Sequence, residues 1–238
     1  MNFNKYCKDI LQEELFFYLP AYYSDIGNIK YKFGLDSDEI IEVKKLLGEI
    51  FQISKGINDL LNLGNLISAV ILLRTLLERI ILFRVIFEDK DKIVEKIKIY
   101  VDFGLICAYE GLNKYNDKSK IDSSYFDNLK NVFDKHSVKY LVKKGNKTYY
   151  DLYKGLGITG SITSNYNKYI KYELEKKGDK IEPLYIIISK IHHGNSLNIS
   201  LLGENSFLPN NNNSIKNDIK LMSYGLLELL SKDLEIEI

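Results

Sequence analysis

The sequence predicts an all-α fold, a single multi-helix bundle around a central apolar helix at about 65–88. Three observations predict it. Residues 65–88 are the most apolar long stretch of the chain, and a helix that is apolar nearly all round has to be covered by other helices. Only three prolines interrupt the 238 residues, and the alternating Val-Thr patterns typical of strands are scarce. Asp36-x-x-Glu39 has the form of a capping box, and Ile40, Val43, Leu47, Ile50, Ile57 and Leu61 follow it at helical spacing.

In chain order, 3–19 reads as a short amphipathic helix stopped near Pro20, followed by a loop through Gly27 and Gly34. Residues 1–35 are thus expected to form an N-terminal helix and loop, and 36–238 the bundle domain. A helix over 38–62 comes next. Gly64 and Asn65 then break the chain and re-cap it for the central helix. Another helix runs from about Asp91 to Tyr109. Asp122 or Ser123 caps the following one, which is expected to end in Lys143-Lys144 with Gly145 just beyond. Residues 145–160, rich in glycine and tyrosine, read as irregular with one short helix. Ser161 opens a helix to Lys177, and Pro183 suits the first position of a helix over 183–193. Residues 203–213 form a flexible low-complexity loop, and a last helix covers about 214–233.

Composition excludes several classes. A formal net charge of +1 argues against strong non-specific nucleic-acid binding by the chain as a whole, while leaving room for a local patch. Cys7 and Cys107 make neither a CxxC nor a disulfide framework, which fits a reducing cytoplasm. The first 30 residues hold Asp9, Glu13 and Glu14 and no clean apolar run, so no signal peptide is expected. Leu66–Phe87 is long enough to span a bilayer. Arg74, Glu78, Arg79 and Arg84 make that too costly, so no membrane is expected as a partner.

The central helix holds all three arginines of the chain; the other 30 cations are lysine. Arginine is preferred where a planar fork must hold a carboxylate or phosphate in a partly buried setting. At about 100° per residue Glu78 lies only about 40° from Arg74, on a face shared with Ile67, Ile81 and Val85. Arg79 points roughly the other way. The pair reads either as a preorganised anion-binding guanidinium with its carboxylate partner, or as an ion pair that fixes helix register.

A second candidate is Tyr185-x3-Ser189-x3-His193 with His192. Four-residue steps stack three hydrogen-bonding side chains in one row, and His193 would sit in a last turn that favours the imidazolium. The competing reading is a polar seam with a C-capping histidine. A third candidate is the lysine-rich segment 130–147, whose Lys143 and Lys144, with Tyr149 and Tyr150 nearby, suit phosphates and bases. Such a run also serves as a solvated helix face. No HxxxH or HExxH spacing occurs, so neither a metal nor a cofactor is expected.

At these residues a resemblance enters. Ala69-x-x-Leu72-x-Arg74-x-Leu76-x-Glu78 together with Tyr185-x3-Ser189-x3-His193 resembles an uncharacterised bacterial family of all-helical proteins, a domain of unknown function. That family in turn looks related to the HEPN bundles of abortive-infection and toxin–antitoxin systems. The resemblance implies a cytoplasmic helical bundle with Arg74, Glu78, Ser189 and His193 converging in a cleft. It further implies metal-independent RNA cleavage in a defence or stress setting, with a homodimer or a cognate protein partner. In that role His193 would be the general acid/base and Arg74 would stabilise the transition state. Glu78 would orient Arg74, while Ser189 and Tyr185 hold substrate or the imidazole. The HEPN pattern Arg-x4–6-His on one helix is absent here, so the two roles would come from two helices. The alternative is a non-catalytic helical module that binds a nucleotide-like or anionic ligand, or a protein partner.

Overall fold

The structure, a computed structural model, describes residues 35–114, 122–158 and 167–171, and between 216 and 230 all but 218, 221 and 228. The fold class is all-α: helices carry most of the described residues, and the strands among them form one two-stranded hairpin. The chain divides into two compact units, Met1–Glu88 with Ile162–Ile238, and Asp89–Ser161.

In the first unit, α1 (Ser37–Asn62) opens on Asp36, whose carboxylate accepts from the Asp38 and Glu39 amides. Glu39 answers by accepting from the Asp36 amide at 3.0 Å, so the expected capping box is present in both directions. The predicted apolar row is buried, Ile50 at 0 % exposure and Leu47, Ile57 and Leu61 at 1 %. Gly64, at φ 75°, ends the helix in the left-handed conformation. The Asn65 amide donates to the Leu60 carbonyl at 2.8 Å and the Gly64 amide to that of Leu61 at 3.2 Å, the two bonds of a Schellman motif. Asn65 at once caps α2 (Leu66–Phe87) by accepting from the Ser68 amide.

α1 and α2 pack along one another, and Gly56 leaves the room for it: a Cβ there would lie 3.0 Å from Leu72 Cδ1. From Ile80 to Phe87 only Arg84 is not buried. Each large aliphatic side chain covered there contributes roughly 1.5–3 kcal/mol, and Phe83 stacks on Phe87 with ring centroids 4.3 Å apart. One turn at Asn167–Lys171 contacts α2. The assigned residues between 216 and 230 are helical, with Ile219, Met222, Leu226 and Leu230 buried.

In the second unit a 3-10 turn at Lys90–Lys92 leads into α3 (Ile93–Asn113). α4 (Ser123–Tyr140), capped by Asp122, packs against it. The expectation that this helix reaches Lys144 is corrected: it stops at Tyr140. The chain continues as β1 (Leu141–Lys144), turns at Gly145-Asn146, and returns antiparallel as β2 (Lys147–Tyr150). Gly145, at φ 60°, is not a helix terminator but the first residue of a two-residue turn, a position that favours glycine. Leu141-Val142 and Thr148-Tyr149-Tyr150 supply the β-branched and aromatic residues that flank it. α5 (Leu152–Gly155), capped by Asp151, closes the unit.

Tyr140 anchors this unit. It is fully buried, its hydroxyl donates to the Ile99 carbonyl on α3 at 2.9 Å, and its carbonyl accepts from the Asp151 amide. Gly155 lies flat against the ring, where a Cβ would come within 2.2 Å of it. A row of rings, Tyr109 on Phe133 and Phe133 edge-on to Tyr150, ties α3, α4 and β2 together.

Candidate functional site

The three arginines of α2 meet three different environments. Arg79 reaches across to α1, where its Nε and Nη2 both bond Glu49 Oε1, at 2.9 and 2.7 Å. The Arg84 Nη1 group donates to the Tyr169 carbonyl. The Tyr169 hydroxyl then donates to Glu88 at 2.9 Å, with the Lys168 ammonium 2.7 Å from it. Burial holds the Tyr169 hydroxyl above its ordinary pKa; the Lys168 ammonium works against this and the Glu88 carboxylate adds to it. Arg79 and Arg84 are therefore clamps between α2 and its neighbours.

Arg74 differs. The residue is 8 % exposed, and its Nε donates to Glu78 Oε1 at 2.9 Å, one turn along the same helix. Its Nη1 is buried and, among the described residues, has no hydrogen-bond partner. Leaving a buried donor unmet costs roughly 1–3 kcal/mol, and more for a charged group. Such an atom therefore asks for an explanation, an ion or a water among them. Glu78 has a side chain 34 % exposed, so the pair runs from a buried cation to a half-buried anion at the edge of the core. The sequence brought these two residues together, and the structure places them in one ion pair.

Lys143 and Lys144 lie on β1 in the second unit, exposed. They are strand residues, not the cationic last turn of a helix. Tyr185, Ser189, His192 and His193 lie outside the described residues. Among the described residues no group of three or more His, Cys, Asp or Glu side chains could hold a metal ion. No described helix is long and apolar enough to cross a membrane. Partial burial, and then the Glu110 carboxylate, raise the Cys107 thiol pKa, which disfavours the thiolate.

Two arrangements escaped the sequence reading. His136, the third histidine, sits on α4 with Nδ1 3.9 Å from Asp102 Oδ2 on α3. The Glu88–Tyr169–Lys168 group spans eighty residues of chain. Both are contacts across elements with no local spacing to announce them.

Residues 43–208 match the family described as a family of unknown function (DUF5677). This is well over half of the chain, which therefore belongs to that family. No curated protein and no solved structure matches it.

Proposed function

We propose that this protein is an RNA-targeting helical module whose anion site is Arg74, the unmet Nη1 group being made to receive a phosphate oxygen. The single observation that carries this is a buried guanidinium nitrogen with no partner among the described residues, beside a carboxylate that already holds the other edge of the fork. A guanidinium donates in a fixed plane and keeps its charge at any physiological pH, which suits a phosphate. Glu78 sets that plane, and it is also the gate. Its exposed side is the way in, and an arriving phosphate must take over part of its bond to Arg74.

Within this reading the chain is a distant relative of the HEPN-like helical proteins of bacterial defence, working in the cytoplasm. Cleavage would use His193 as general acid/base, with Ser189, Tyr185 and His192 holding imidazole or substrate. RNA degradation by the purified protein tests it. Arg74→Ala and His193→Ala should each abolish degradation while the helical far-UV signal is kept, and undiminished degradation by either variant overturns the cleavage reading.

A second reading, binding without cleavage, is favoured by how deeply Arg74 is buried, an environment that holds an anion more readily than it turns one over. Thermal melts with inorganic phosphate or a mononucleotide separate the anion site from the reaction. A ligand that binds only the folded state raises stability by about 2.7 kcal/mol at a hundred times its Kd. Phosphate should raise the Tm of the wild type, more so in Glu78→Gln where the competing charge is gone, and not at all in Arg74→Met. Equal shifts in all three proteins would mean that Arg74 is no anion site.

A further inference from the structure

The outer face of the hairpin carries a second feature, built from different residues. Partners across an antiparallel pair share a face, and successive residues alternate. Tyr150, paired with Leu141, points inward onto Phe133. The pairs Val142–Tyr149 and Lys144–Lys147 therefore share the opposite face. Tyr149 is 44 % exposed, and Lys144 and Lys147 are exposed at the tip beside it. Lys143 is exposed as well.

The charge is uncompensated. From Lys139 to Tyr150 the chain has four lysines and no acid. Among the described residues none of Lys139, Lys143, Lys144 and Lys147 forms an ion pair. The nearest following acid, Asp151, is occupied in capping α5, and Lys154 folds back to donate to the Leu141 carbonyl at the base of β1. Two like charges directly opposite on a hairpin destabilise it. A tip that keeps such a pair next to an exposed aromatic ring has the two parts of a single-strand platform, ammonium groups for the backbone and a π-face for a base.

We infer that the outer face of β1–β2 binds a single-stranded polynucleotide, with Lys144 and Lys147 on consecutive phosphates and Tyr149 stacked on a base. An acidic polypeptide would satisfy the lysines but leaves the tyrosine without a role, and duplex hides the faces on which it could stack. The inference stands on residues other than Arg74 and shares only the ligand class with the function proposed above.

Fluorescence anisotropy of the full chain with a short labelled oligouridylate, oligodeoxythymidylate, a duplex of the same length and poly-glutamate tests it. The two single strands should bind most tightly, and the stronger of them identifies RNA or DNA as the natural form. Lys144→Gln with Lys147→Gln should lower the slope of log affinity against log salt by about 1.4, from about 0.7 for each phosphate no longer neutralised. Tyr149→Ala should weaken binding about fivefold or more with the slope unchanged. All three substitutions are at exposed positions, and a melt checks that each variant is folded. Wild-type protein that binds no single strand at low salt, or a silent Tyr149→Ala with poly-glutamate or duplex bound equally well, overturns the inference. Arg74→Met separates the two sites: binding that survives it but fails in the hairpin variants retires the Arg74 reading alone, and the reverse retires this one.

Discussion

α2 and the β1–β2 hairpin are both rich in cations, and they handle them in opposite ways. α2 uses arginine, and each guanidinium is engaged: Arg79 on Glu49, Arg84 on the Tyr169 carbonyl, Arg74 on Glu78. The hairpin uses lysine, and among the described residues its ammonium groups meet no carboxylate. The difference follows from hydration. A guanidinium is weakly hydrated and directional, so it can enter a core and hold a neighbour in register; an ammonium is strongly hydrated and stays where water or a mobile anion can reach it. Among the described residues the Nη1 of Arg74 has no hydrogen-bond partner, and there a structural cation keeps a spare donor.

The contrast predicts unequal tolerance to substitution, and the largest gap lies in the core of α2. Leu76 is 0 % exposed, so Leu76→Ala should destabilise by about 2–5 kcal/mol, while Lys144→Ala should stay within about 0.5 kcal/mol of wild type. Urea titrations of the two variants measure this directly. A hairpin lysine as costly as Leu76 would erase the distinction between embedded and solvated cations. Next in size is Gly155→Ala, which forces a methyl group into the Tyr140 ring. With Tyr140 fully buried and hydrogen-bonded to Ile99, the ring has little freedom to retreat. Overpacking of this kind costs about 1–3 kcal/mol, read as a lowered Tm. A neutral result would mean that the hairpin does not depend on this anchor.

The same anchor should be visible in the pH dependence. Burial, and after it the Asp102 carboxylate, push the Tyr140 hydroxyl from 10.0 up to about 12. The folded chain therefore holds this proton more tightly than the unfolded chain. Below pH 10 both states are protonated and the full stability is present. From there to about pH 12 the unfolded chain ionises first, and stability falls. Tyr140→Phe removes this contribution along with one hydrogen bond, so its loss of Tm on going from pH 9 to pH 11.5 should be smaller than that of the wild type. Parallel curves would mean that Tyr140 ionises as an ordinary tyrosine.

The two regions also differ in how much of them is legible in the sequence. The capping box at Asp36 and Glu39, the break at Gly64 and the extent of α2 are legible because each rests on contacts within a few residues. The i,i+4 pair of Arg74 and Glu78 is legible for the same reason. The hairpin is not, although its signal is local: Gly145-Asn146 between Leu141-Val142 and Thr148-Tyr149-Tyr150 is a two-residue turn between β-forming runs. Lysines followed by a glycine also fit the end of a helix, and the two patterns compete for the same residues. Tyr140 decides between them by ending α4 and holding the return strand through the Asp151 amide. The partners of Arg79 and Arg84 are beyond the reach of spacing, because Glu49 and Tyr169 come from other elements and only packing brings them near.

The smallest expected effect on stability is also the most discriminating for function. Lys144 and Lys147 face each other across the tip, an arrangement that works against the hairpin, and a single change relieves it. Lys144→Glu places a carboxylate opposite Lys147, and a favourable cross-strand pair contributes roughly 0.2–1 kcal/mol. The variant should melt slightly higher than wild type, by an amount that shrinks as salt is added and screens the pair. If the lysine pair is there to meet phosphates, the same variant should bind single strands more weakly than the double glutamine variant, because the carboxylate repels the strand and also occupies Lys147. A rise in Tm with binding abolished would mean that the tip gives up stability for its ligand. A rise in Tm with binding intact would make the pair an unoptimised surface feature, and the contrast with the arginines of α2 would then concern hydration alone.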